Sequence, residues 1–299
     1  MPQRRSTGSR EETTSVGGSE RAGRDVRWRR GSGSRLSRRR VLQLCAAGIG
    51  LRSLLAHEGA TWAGQRWFDE RTVGPLHVHA DFTLADFPGL LADVQTLQGD
   101  LCQLLEVPPA RDPIHLFLFD RKPTYLAYLR EYFPRVPYRR ALYVKERGPG
   151  MVLAFRSPEF DVDVRHETTH ALLHAVLPDI PLWLDEGLAE YFEVGREGRA
   201  DGHPYLPQLR WQVRVGEVPR VEDLEGLVDV EALGRTEYRA AWGWVHFLLH
   251  GPGGLRGELV RYLTDLRSGV PSERLGVRLL RRMPDRDQQF AEHFKQFQA

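Results

Sequence analysis

Residues 164 to 193 read VRHETTHALLHAVLPDIPLWLDEGLAEYFE. His166, His170 and His174 recur every four residues, and two turns past a proline a run rich in Asp and Glu begins. The stretch is either a metal site or an amphipathic helix that happens to carry His and Glu. Its first part, His166-Glu167-Thr168-Thr169-His170, fits H-E-x-x-H. Four residues advance a helix by about 400°, so His166 and His170 share a face one turn apart. Two imidazoles so placed can reach one tetrahedral ion. Glu167 lies about 100° round the helix, near that ion without needing to bind it, where it can take a proton from an activated water. His174 sits one turn beyond His170, but one straight helix cannot surround an ion from three directions. It is therefore read as a supporting or packing residue.

The third ligand is expected from the second half of the stretch. Pro178 and Pro181 bound a turn, so two antiparallel helices are predicted. Counted from that turn at about 1.5 Å per residue, His170 and Glu186 fall at the same level and face each other. Glu190 follows at i+4 on the same face. It is the expected partner that hydrogen-bonds a ligand imidazole and sets its tautomer.

HETTHALLH followed by PLWLDEGLAEYFE resembles the gluzincin metallopeptidases, in particular the bacterial peptidase-MA-like group. There an HExxH helix precedes a W-L-x-E-G-x-A-x-Y-x-E helix. The match is dense over about thirty residues and continues more weakly over residues 76 to 290 as an order of elements. The resemblance implies one Zn2+ per chain held by His166, His170 and Glu186, with Glu167 as catalytic base and Glu190 behind the ligands. It also implies a downstream donor for the oxyanion. The stretch TEYRAAWGWVHFLLH (236 to 250) offers Tyr238, the expected catalytic tyrosine, and His246 eight residues on. The implied activity is peptide hydrolysis through zinc-activated water. The implied fold is a zincin-like α+β domain, a small mixed sheet before the HExxH helix and a mainly helical C-terminal half. Fifteen residues separate His170 from Glu186, and the G-x-M-E-N exopeptidase motif is absent at Gly150-Met151-Val152-Leu153. Both departures favour an endopeptidase over an aminopeptidase. The competing reading is an inactive binding or scaffold protein of the cell envelope on the same fold.

The periodicity of the surrounding chain agrees with such a fold. LHVHADFTL (76–84), IHLFLFD (114–120), RALYVK (140–145) and MVLAF (151–155) read as strands. Residues 88–107 and 122–133 read as helices, as do those around 205–215, 236–250, 254–268 and 286–298. The expected divisions are a sheet-containing half at 70–195 and a helical half at 196–299, with a cleft between them. The strand pair 140–155 is expected to offer an edge to which a peptide substrate adds. Arg139 and Arg140 are candidates to pair a substrate carboxylate.

Residues 1–36 are rich in Gly, Ser, Arg and Glu and cannot bury enough apolar surface to fold, so a basic disordered arm is predicted. SRRRVLQLCAAGIGLRSLLA (37–56) then resembles a twin-arginine export signal, and the signal segment is taken to 63, near Thr61-Trp62-Ala63. It predicts delivery to the periplasm or cell envelope, with membrane association if it stays uncleaved. A cytoplasmic protein follows if the leader does not function. Residues 1–40 hold twelve arginines and four acids, so the remainder carries −6 of the whole chain's +2. A mildly acidic body argues against a nucleic-acid partner. With Cys45 in the leader, Cys102 has no partner and the fold is not disulfide-stapled.

Overall fold

The computed structural model describes residues 67–145, 148–177 and 179–297. The arm at 1–36 and the signal-like segment at 37–63 lie outside the described residues. Five strands form one mixed sheet: β1 (Asp69–Val73), β2 (Leu76–Ala80), β3 (Ile114–Phe119), β4 (Ala141–Val144) and β5 (Gly150–Phe155). Their spatial order is β1-β2-β3-β5-β4. β2, β3 and β5 run parallel, while β1 and β4 close the two edges antiparallel. Among the described residues ten α-helices accompany the sheet: α1 (Pro88–Leu105), α2 (Lys122–Tyr132), α3 (Phe160–Val176), α4 (Leu182–Glu193), α5 (Leu206–Arg214), α6 (Val221–Glu225), α7 (Arg235–His250), α8 (Leu255–Arg267), α9 (Leu275–Arg282) and α10 (Arg286–Gln296). The class is α+β and mostly helical, as expected.

The central strand explains the layers. Along IHLFLF alternate side chains point to opposite faces. Ile114, Leu116 and Leu118 join the main core with residues of α1, α3 and α4. Phe117 and Phe119 join a second core with Tyr125, Tyr128 and Leu129 of α2. Burial on both faces is why this strand is apolar except at the half-buried His115. β1 escapes the sequence reading because DERTV has no apolar alternation and is mostly exposed. It exists through its hairpin with β2, in which Gly74 takes φ 58° between Val73 and Leu76. The short helices α6 and α9 were also not expected.

The helical hairpin forms as the prolines require. α3 stops at Val176 and α4 begins after Pro181, whose φ of −59° suits a helix start. From Leu182 to Phe192 every residue of α4 is buried. It runs between α3 and α7. A β-carbon on Gly187 would lie 2.6 Å from the Ala241 carbonyl oxygen, so only glycine lets α7 come this close. Burial on all sides leaves Asp185, Glu186 and Glu190 inside the protein, where a carboxylate needs a cation or hydrogen bonds. Among the described residues no helix is long and apolar enough to cross a membrane.

Candidate metal centre

The two helices of the hairpin bring His166, His170 and Glu186 together. Nε2 of His166 and Nε2 of His170 are 3.2 Å apart. Glu186 Oε2 lies 3.7 Å from the first and 3.5 Å from the second. On a tetrahedral ion with metal–nitrogen distances of about 2.0 Å, two ligand nitrogens stand about 3.3 Å apart. The three ligand atoms are therefore spaced to hold a small divalent ion. His170 and Glu186 are buried, and His166 retains partial access to solvent.

Both imidazoles are aimed by carboxylates. His170 Nδ1 lies 2.9 Å from Asp185 Oδ1, and His166 Nδ1 lies 2.8 Å from Glu193 Oε2. With Nδ1–H donating to a carboxylate, each ring keeps its Nε2 lone pair for an ion. His174 extends the chain, its Nε2 2.8 Å from Asp185 Oδ2. It supports Asp185, in keeping with the supporting role expected for it, although His170, His174 and Asp185 also lie close enough together to hold an ion. Arg165 fixes the other end of the hairpin. Its guanidinium donates to the Glu193 carbonyl at 2.5 Å and to Asp93 of α1 at 2.6 Å.

Glu190 lies within 4.8 Å of His166, but the hydrogen bond to that ring comes from Glu193. The Glu190 carboxylate faces His203, 3.6 Å from Nε2. His203 is buried, stacks on Trp242 with ring centres 4.5 Å apart, and its Nε2 lies 3.7 Å from Glu193. These separations are ion-pair contacts and too long for hydrogen bonds. Asp185, Glu193 and His203 were not anticipated. The first two carried a signal: Glu186, Glu190 and Glu193 are i, i+4 and i+7 on one stripe, and Asp185 adjoins the ligand. Nothing local marks His203, which arrives from the loop before α5.

The electrostatics are those of a cation site. Burial alone would depress His166, yet Glu186 and Glu193 outweigh it and raise its pKa. Burial also opposes charge on His170, but Asp185 and Glu186 push it up to about 10. Against the effect of burial, the facing imidazoles hold Asp185 and Glu186 well below the usual carboxylate range, and Glu193 to about 2. The carboxylates are thus ionised around nitrogens that favour positive charge. A dication satisfies the same negative cluster.

Glu167 projects beside this group. Burial raises its pKa, opposed by the nearby charges of His166 and His170 and by the backbone N–H of Tyr143 in β4. The edge strand is thereby brought against the HExxH helix. Arg140, just before β4, reinforces this by bonding Glu159 at 2.8 Å and Asp163 at 2.7 Å near the start of α3. Arg140 is therefore occupied, while Arg139 is exposed with no carboxylate at ion-pair distance among the described residues.

Of the two donors considered on α7, Tyr238 lies within electrostatic range of Glu186 and His166. Burial and the Glu186 charge push its pKa up to about 12, so the phenol stays protonated. His246 shares its face but lies about 12 Å farther along the axis. It is wholly buried, bonded to the Ala200 carbonyl at 2.7 Å and to His293 at 3.0 Å. It has no path to the metal cluster. No protein-family model matches the chain, and no curated protein is significantly similar to it in sequence.

Proposed function

We propose that the protein is a zinc-dependent metallopeptidase of gluzincin type, cleaving within peptide chains. One observation carries the reading: two HExxH imidazoles 3.2 Å apart, a helix-borne Glu186 at 3.5 and 3.7 Å, and Glu167 beside them. Two nitrogen donors and one carboxylate at tetrahedral spacing suit zinc better than they suit the cations that prefer all-oxygen sites. His166, His170 and Glu186 would hold it. When bound, the ion supplies a Lewis acid that polarises a carbonyl and brings a water's pKa to about 7.

The chain's own residues do the rest. Glu167, its pKa raised by burial, accepts the proton as water attacks the peptide carbonyl and hands it to the leaving amine. Tyr238, protonated and within electrostatic range of Glu186 and His166, would donate a hydrogen bond to the developing oxyanion. Asp185 and Glu193 hold the ligand rings in one tautomer. β4 is paired on one side only among the described residues, and its Tyr143 lies against Glu167. A peptide adding along that edge would pass in front of the cluster. Export through the arginine-pair leader belongs to the same proposal, and N-terminal sequencing of protein from cell fractions tests it.

Zinc content tests the central reading. Purified without chelator, the chain should carry zinc that Glu186→Ala largely loses. Glu167→Gln should keep the metal while hydrolysis of unfolded protein substrates falls by about 10²- to 10⁴-fold. A metal-loaded wild type with no hydrolysis of any peptide would replace the enzyme with an inactive binding protein on the same fold.

A further inference from the structure

A second group of histidines lies far from the helical hairpin, on the α2 side of the sheet. His77 and His79 occupy alternate positions of β2, so both point to one face. His115 of β3 is the register partner of His77. Glu70 of β1 is the register partner of His79. Three adjacent strands thus contribute to one patch. His79 Nε2 and His115 Nδ1 face each other at 3.0 Å. Glu70 Oε1 lies 2.6 Å from His79 Nδ1, the same carboxylate-to-imidazole arrangement found behind His166 and His170. The ring centres of His115 stand 5.2 Å from His79 and 5.3 Å from His77. Imidazoles on one tetrahedral ion at about 2.0 Å have ring centres about 5 Å apart. Trp67 and Phe117 line the apolar side, with Trp67 5.8 Å from the His79 ring and 5.3 Å from that of Phe117. The three imidazoles are only partly buried, so the patch is open to solvent.

The facing nitrogens of His79 and His115 stand 3.0 Å apart, close to the separation of two nitrogens on one tetrahedral ion. Polar rings gathered on two adjacent strands crowd one another, the His115 ring between those of His77 and His79. The geometry points to a second metal site, in which His79 and His115 grip a borderline divalent ion through the facing nitrogens. His77 turns its ring to complete the set, Glu70 orients His79, and the fourth position is left to water. Imidazole donors suit zinc, copper or nickel and not calcium or magnesium. Such an ion would staple β2 to β3 near the β1 edge. None of its residues belongs to the hairpin site.

Equilibrium dialysis of the full chain against micromolar free zinc, followed by elemental analysis, tests this. The wild type should hold two zinc ions. His79→Ala/His115→Ala should hold one, and so should His170→Ala/Glu186→Ala. Zinc should still raise the Tm of the latter variant. His79→Gln/His115→Gln, which keeps side-chain bulk, serves if the alanine pair does not fold. The sheet site is overturned if the His79/His115 variants bind as much zinc as the wild type, or if His170→Ala/Glu186→Ala binds none. The converse result, a single zinc lost only in the His79/His115 variants, would sustain the sheet site and remove the peptidase proposal instead.

Discussion

The hairpin site depends on two carboxylates that do not touch the gap between the ligands. Asp185 bonds His170 and His174, and Glu193 bonds His166, at 2.8 to 2.9 Å. Asp185→Asn and Glu193→Gln should each weaken metal affinity by about 10- to 100-fold, because the amide no longer fixes the ring's tautomer with a full charge. Chelator competition reads this directly. Glu190→Gln, whose carboxylate faces His203, should weaken it less. Equal losses at all three positions would mean that total negative charge matters and ring orientation does not. Tyr238 acts at the same scale. Tyr238→Phe should leave metal content unchanged and lower kcat by about 10²- to 10³-fold, the usual worth of one oxyanion donor. If KM rises while kcat holds, the phenol binds substrate and does not serve the transition state.

Among the secondary elements, α4 is the most constrained. It is buried along its whole length, and its separation from α7 is set at Gly187. A methyl group there meets the Ala241 carbonyl at 2.6 Å and Val245 at 2.9 Å, backbone and branched side chain that cannot step aside cheaply. Gly187→Ala should cost about 1–3 kcal/mol by overpacking, measured by urea unfolding of the metal-free protein. Because Glu186 is the preceding residue, metal affinity should fall as well. Affinity retained with stability lost would show that α4 shifts as a rigid body and carries its ligand along. The prolines and the HExxH spacing of this hairpin were legible because each acts within a few residues. β1 was not, since its residues are polar and it forms only by pairing with β2.

For the whole molecule, acid stability reads the packing of α7 against α10. His246, His250 and His293 are held neutral there. Burial lowers His246 to about 3 and His293 to about 4, each depressed further by neighbouring histidines. Unfolded histidine titrates near about 6.5. Below that pH the unfolded chain takes up protons that the folded one refuses, so stability is complete above about 6.5 and falls as pH drops toward 4. His166 and His170, with raised values, stay protonated in the folded state across this window and add only a slight slope of opposite sign near pH 6 as the unfolded chain protonates. Each depressed histidine adds at most about 1.4 kcal/mol per pH unit. Urea unfolding of metal-free protein between pH 6 and pH 5 should show the loss, and His293→Gln should flatten it. An unchanged slope in that variant would place the acid sensitivity elsewhere.

The chain's local pattern determined the α+β class, most strand and helix positions, and the residues His166, His170, Glu186 and Glu167 as a candidate set. That was possible because helical periodicity and proline-bounded turns are short-range physics. Only the tertiary structure decided which groups stand behind them. Glu193 supports His166 in place of Glu190, a choice among carboxylates of one stripe that helical spacing leaves open. His246 is excluded because a shared helical face says nothing of depth along the axis. His203, and the meeting of His79 with His115, depend on chain segments brought together across long separations. No local spacing encodes such contacts, since they are products of packing.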